Sequence, residues 1–158
     1  MLTPSSVWQQ PWPSYPEITA TIGPMTLETA STLSHSDDII QVDVETLYVE
    51  SESDPDKNKF VFAYTVTIRN VGNEAARLLT RHWVIRDANG KIQEVQGDGV
   101  VGEQPHLKPG EGFQYTSGTM LETSMGTMGG SYLMVTDDGD EFNAPIADFL
   151  LSTPRVLH

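Results

Sequence analysis

Residues 94–105 read Glu-Val-Gln-Gly-Asp-Gly-Val-Val-Gly-Glu-Gln-Pro. Gly97, Gly99 and Gly102 carry the G-x-G-x-x-G spacing, which binds nucleotide pyrophosphate when it joins a strand to a helix whose N-terminus aims free N–H groups at the anion. Here Gly102 is followed by Glu-Gln-Pro-His-Leu-Lys-Pro-Gly, which cannot continue as a helix, and Asp98 and Glu103 put negative charge where phosphate would sit. The favoured reading is a loop that shapes the backbone or meets a partner. The alternative is a binder of nucleotide pyrophosphate or divalent metal through Gly97–Gly102. In the first reading the glycines take positive φ or allow close strand approach, while Val100 and Val101 either anchor the loop to the core or form an exposed interaction surface.

Other chemistry is thinly represented. Asp54, Asp56 and Asn58 imitate the first positions of a calcium loop, but Lys59 replaces the required glycine and Thr65 the bidentate glutamate. Asp137, Asp138, Asp140 and Glu141 read as a solvated hairpin tip rather than a hard-cation site, and no metal ligand set is assigned. His82 and His106 could meet only through the fold; His82 is expected to be a half-buried neighbour of Trp83, and His106 a loop residue. Ser117 lies in Thr-Ser-Gly, outside any G-x-S-x-G elbow, so no catalytic residue is assigned. Arg81-His82-Trp83 pairs residue types that anchor interfaces, with Trp83 expected in the core and Arg81 at its rim.

The elements that must position these residues are strands. From Asp38 onward apolar residues recur with period two, the spacing that sends alternate side chains to opposite faces of a sheet. Ile40, Val42 and Val44 share one parity and Leu47 and Val49 the other, which predicts a bulge or a doubly buried strand near Glu45. Phe60, Phe62, Tyr64, Val66 and Ile68 mark a central strand ending at Asn70-Val-Gly72. Leu79, Arg81, Trp83 and Ile85 alternate up to the Asn89-Gly90 step, a tight-hairpin signal, and 91–96 return. Further strands are expected at 113–118, 128–135 and 141–146 around the Asp137–Asp140 turn, with 149–151 closing the core. No window carries a sustained 3.6-residue stripe. About seven or eight short antiparallel strands predict an all-β, immunoglobulin-like or fibronectin type III-like β-sandwich, with a barrel as the other solution.

Composition narrows the function. The 158 residues suffice for one domain with a core, at 38% hydrophobic. Nine basic against 22 acidic residues give a net charge of -13, which repels phosphate backbones and anionic lipid, so no direct nucleic-acid partner is expected. The absence of cysteine removes disulfides, thiolate metal sites and thiol nucleophiles. Residues 1–37 hold five of the ten prolines, Pro4, Pro11, Pro13, Pro16 and Pro24, and are expected to be a disordered tail ahead of a domain at 38–158. Trp8, Trp12 and Tyr15 are the residues of that tail with docking chemistry. Neither a secretory signal nor a membrane-spanning run is read at the N-terminus, so no membrane insertion and a cytoplasmic location are expected.

The chain resembles the bacterial ApaG family across residues 38–158, on five stretches in order: Phe62-Ala-Tyr-Thr-Val-Thr-Ile-Arg-Asn70, Arg81-His-Trp83, the 94–105 loop, Tyr115-Thr-Ser-Gly118, and Gly126-Thr-Met-Gly-Gly-Ser-Tyr-Leu-Met134. The resemblance implies a fibronectin type III-like sandwich, an association with cobalt resistance and magnesium efflux, and no established catalysis or cofactor. Related domains in eukaryotic F-box proteins and in a DNA-polymerase-interacting protein look like protein-interaction modules. The expectation is therefore a non-enzymatic binding module that recognises a protein partner connected to divalent-metal homeostasis. Its contact residues would be Gly97, Gly99, Val100, Val101, Gly102 and Gln104, with Arg81 and His82 beside them.

Overall fold

The computed structural model describes residues 21–24 and 39–154. Trp8, Trp12 and Tyr15 lie outside the described residues. Among the described residues nine strands follow in order: β1 (Thr21–Pro24), β2 (Ile40–Tyr48), β3 (Phe60–Asn70), β4 (Ala76–Asp87), β5 (Ile92–Asp98), β6 (His106–Leu107), β7 (Glu111–Leu121), β8 (Met125–Thr136) and β9 (Glu141–Ser152). No α-helix occurs among the described residues. One sheet has the order β1-β7-β3-β2 and the other β5-β4-β8-β9, with β6 pairing the start of β4. Every pairing is antiparallel.

The two inner faces follow from alternation. Phe62, Tyr64, Val66 and Ile68 of β3 meet Leu78, Trp83 and Ile85 of β4 and Met128, Tyr132 and Met134 of β8, all buried in one cluster. Trp83 sits at its centre, edge-on to Tyr64 at 5.4 Å, Tyr132 at 6.2 Å and Phe149 at 6.0 Å between ring centroids. Such tilted and T-shaped pairings let each ring edge meet a neighbouring face, so the two sheets are locked in register with one another.

Three strand expectations need correction. β2 pairs β3 without interruption from Ile40↔Asn70 to Tyr48↔Phe62, so there is no bulge near Glu45. Leu47 breaks the parity because β2 is a sheet edge, and its side chain is 67% exposed on the outer face. The bulge lies instead in β4, between Leu78 and Thr80. Leu78, not Leu79, points into the core, and the extra residue resets the parity for Arg81, Trp83 and Ile85. The stretches 141–146 and 149–151 form one strand, β9, with an irregularity opposite Met128 and Gly130.

Turns follow local chemistry. The β4–β5 hairpin uses a three-residue loop rather than a two-residue one, since Asp87 N–H bonds Lys91 O at 3.0 Å and only Gly90 takes positive φ, at 89°. Four residues of the expected N-terminal tail, Thr21–Pro24, form β1 against Gln114–Glu111. The reason is local: the seven residues between Pro16 and Pro24 contain no proline, and Pro24 closes the strand at a sheet edge, where its missing donor is tolerated.

Candidate functional site

The glycine loop is a second, smaller hairpin set on the end of β5. Val100 N–H donates to Glu103 O at 2.8 Å and Glu103 N–H donates back to Val100 O at 2.9 Å. Between them Val101 has φ 43° and Gly102 φ 82°, the paired positive values of a type I′ turn. Gly102 suits this geometry, whereas a β-branched valine in the left-handed region costs on the order of 1–3 kcal/mol. Gly99, at φ 64°, is required twice over: a Cβ there would collide with Glu103 O.

Three anchors fix this hairpin to the sandwich. Val100 is fully buried, and Pro105 is buried at the far end. The bulged Leu79 turns its carbonyl outward to accept Gly99 N–H at 2.8 Å and Gln104 Nε2 at 2.9 Å, and Arg77 Nη1 donates to Gln104 O at 2.8 Å. The third anchor is Arg81. Expected at the rim of the core, it is instead 3% exposed and lies inside, because its strand position shares the inward parity of Trp83 and its guanidinium reaches under Gly97. Its Nη1 donates to Asp98 O at 3.1 Å and Gly99 O at 2.8 Å. A Cβ on Gly97 would stand 2.8 Å from Nη2, so the missing side chain is what makes room for the guanidinium.

Burial pulls the Arg81 pKa below the usual arginine value, and the neighbouring Tyr64, Tyr115, Tyr132 and Asp98 oppose that pull. Tyr115 and Tyr132 share a buried hydroxyl hydrogen bond, and burial pushes both phenols well above the usual tyrosine range. The cation therefore sits on the carbonyl oxygens of Asp98 and Gly99, with the three tyrosines and the Asp98 carboxylate close enough to act on it electrostatically.

These facts sort the candidate residues. Arg81, Gly99 and Val100 are internal and hold the loop; Gly102, Glu103 and Gln104 are exposed; Val101 and Gly97 are intermediate. His82 lies on the outer face of β4, half-buried, with Nε2 3.5 Å from Glu94 Oε1. It shares a shallow depression with Thr80, Gln96, Gly97 and Asp98. The N–H groups of Gly99, Val100 and Glu103 are already bonded to carbonyls, and the loop leads into β6 rather than a helix. His106 is in β6 rather than a loop, and its Nε2 is 2.8 Å from Asp137 Oδ1. It pairs with Arg77, five residues along β4 from His82, so the fold sets the two histidines apart rather than bringing them together. No group of three or more His, Cys, Asp or Glu side chains able to hold a metal occurs among the described residues. Asp54–Asn58 instead forms a short 3-10 turn closed by Asp54 and Lys59. Ser117 is a buried strand residue. No helix among the described residues is long and apolar enough to cross a membrane.

Sequence reasoning missed Leu79, Arg77 and Asn70. Asn70 is fully buried at the end of β3, where Nδ2 donates to Glu74 O and Leu107 O and Oδ1 accepts Gly72 N–H. An asparagine closing an apolar strand just before Val-Gly was the available signal for such a clamp.

An antiparallel sandwich of two sheets with one structured hairpin at its end is a fibronectin type III-like β-sandwich domain. Residues 50–136 match the ApaG domain. Protein ApaG of Azoarcus sp. (strain BH72) is 59% identical over 119 residues, covering 75% of this chain and 94% of the relative. Protein ApaG of Shewanella sp. (strain ANA-3) is 53% identical over 126 residues, covering 80% and 100%. Among solved structures, the structural-genomics target SoR45 superposes with a TM-score of 0.72 at 54% identity, over 77% of this chain and 92% of that one. A Bordetella pertussis protein gives 0.72 at 50% identity, over 74% and 95%. The chain belongs to the ApaG family.

Proposed function

We propose that this protein is a non-enzymatic recognition module whose contact surface is the exposed side of the glycine hairpin: Val101, Gly102, Glu103 and Gln104, continued by His82 and Gln96 on the sheet. The observation that carries this reading is the anchoring of the loop. Leu79, Arg77 and Arg81 supply or accept its hydrogen bonds and Val100 fills the core beneath it, so the hairpin loses little conformational entropy on docking. Asp98, Glu103 and Glu94 ring the surface and the whole chain carries -13, which favours a partner patch bearing lysine or arginine. A link to cobalt and magnesium homeostasis would run through that partner. The occupied N–H groups and the carboxylates argue against the pyrophosphate alternative.

The test is a double variant, His82→Asp with Glu103→Arg, which changes only exposed or half-exposed side chains. It should keep the wild-type melting temperature within about 2 °C, as surface substitutions do, and lose the partner captured by the wild-type chain. Retention of every wild-type partner by the folded variant rejects the site. Titration with nucleotides, Co²⁺ or Mg²⁺ should leave the amides of Gly97–Gly102 unmoved, and saturable shifts there would restore the alternative.

A further inference from the structure

The four-stranded sheet has two edges, and they are finished differently. β2 lies against β9 of the opposite sheet, so that side of the sandwich is closed. On the other side β7 runs for eleven residues, Glu111–Leu121, but β1 covers only its first four. A sheet edge presents a row of backbone donors and acceptors and templates the addition of another strand. β1 shows in place what this edge accepts: Thr-Ile-Gly-Pro, antiparallel, uncharged, with Ile22 at the position of the core-face residue Phe113 and Pro24 at the end opposite Glu111.

The covering strand is short, and the connection that follows it is long. The strand lies 26 residues ahead of the segment that matches the ApaG domain. Fifteen residues separate Pro24 from Ile40, a contour on the order of 50 Å. The register puts both residues at the same end of the sheet, three strand spacings apart, a gap of roughly 14 Å. Four paired residues and a long tether make β1 an exchangeable occupant.

We propose that the edge of β7 is a strand-acceptor site for an extended, uncharged peptide, and that Thr21–Pro24 is its resident occupant, competing in cis with any peptide of the same chemistry. This site is separate from the glycine hairpin and does not depend on its role. The tether gives β1 an effective concentration on the order of 1 mM, so a trans peptide with an intrinsic affinity near 0.1 mM is held back roughly tenfold.

The experiment uses the full chain and an acetylated, amidated synthetic peptide with the sequence of residues 18–24, which carries no charge. The Thr21→Pro, Ile22→Pro double variant removes a ladder donor whichever of the two adjacent N–H groups faces β7. Its edge amides in Gly112–Gln114 should lose protection from hydrogen exchange while those of the β3–β4 core keep theirs. The peptide should then shift Gly112–Gln114 and bind the variant roughly tenfold more tightly than wild type, the factor set by the tether. Unchanged exchange, no shift in the variant, or equal affinity for both chains overturns the proposal. Should the variant unfold, wild type titrated with several millimolar peptide decides: shifts at Gly112–Gln114 sustain the site, and their absence rejects it.

Discussion

Gly97 and Arg81 form a pair whose coupling can be measured. In the wild-type chain Gly97→Ala places a methyl 2.8 Å from Arg81 Nη2 and 3.0 Å from Cζ and Nη1. The guanidinium must move by several tenths of an ångström, which misaligns its bonds to Asp98 O and Gly99 O and overpacks the site; the cost is about 1–3 kcal/mol. Arg81→Met removes two charge-assisted hydrogen bonds, worth about 3–6 kcal/mol together, but also relieves the several kcal/mol of desolvation borne by a buried cation. Its net cost is therefore about 0–2 kcal/mol. With methionine at 81 the space beside residue 97 is free, and Gly97 has no positive φ to forbid a side chain. Alanine then restricts the unfolded chain and should stabilise by about 0.5–1 kcal/mol. The same substitution thus changes sign between backgrounds, a coupling of about 1.5–4 kcal/mol by double-mutant cycle. Urea unfolding of the four chains measures it, and hydrogen exchange at the Gly99 amide reports whether the loop loosens. If Gly97→Ala destabilises both backgrounds equally, Arg81 does not occupy the space under Gly97 and the account of the loop's anchoring is wrong.

Two further outcomes follow from the same region. Val101→Asn puts the residue type favoured in a type I′ turn at φ 43°, ahead of Gly102, and should raise stability by about 0.5–1 kcal/mol in thermal unfolding. A loss of stability would mean the half-buried valine contacts outweigh the backbone strain. Tyr115 and Tyr132 titrate in the unfolded chain near pH 10 but stay protonated when folded, so above that pH the unfolded state binds fewer protons. Stability is intact below pH 10 and should fall above it by up to about 2.7 kcal/mol per pH unit for the two groups together. Unfolding measured from pH 9 to 12 checks this, and Tyr115→Phe should reduce the slope.

Much of the fold was legible because alternation reports faces directly. Phe62, Tyr64, Val66 and Ile68 are all buried, and the position of β3 at the middle of its sheet follows from its apolar inner face. Alternation does not report depth or interruption. Arg81 has the parity of Trp83, but a charged residue on an inward parity reads as rim, since burying a cation is costly unless it is hydrogen-bonded. Only the partner across the ladder, Gly97, with no side chain, reveals the space for it. Leu78-Leu79 looked like a strand and its flank, when the adjacent apolar pair was the trace of a bulge. The opposite error occurred in β2, where Leu47 broke parity because that edge leaves one face in water. At the site, the spacing of Gly97, Gly99 and Gly102 was visible but its meaning was not: identical spacing serves a type I′ turn and a guanidinium cradle here.

The Leu79 bulge also bears on what length changes the domain can absorb. Its one extra residue places a single carbonyl where both Gly99 and Gln104 reach it, and the same residue sets which side of β4 faces inward from Arg81 onward. Strand register and loop length are thereby one quantity. Removing a residue from 98–104 would strand the Leu79 carbonyl, and straightening β4 to match would turn Arg81 and Trp83 out of the core. Insertions and deletions in this protein belong at the exposed Asn89 and Asp138 hairpins, which are tied to the rest of the sandwich through side chains at their margins, Thr123 Oγ1 accepting Ala88 N–H and Asp137 meeting His106, and not at the glycine loop.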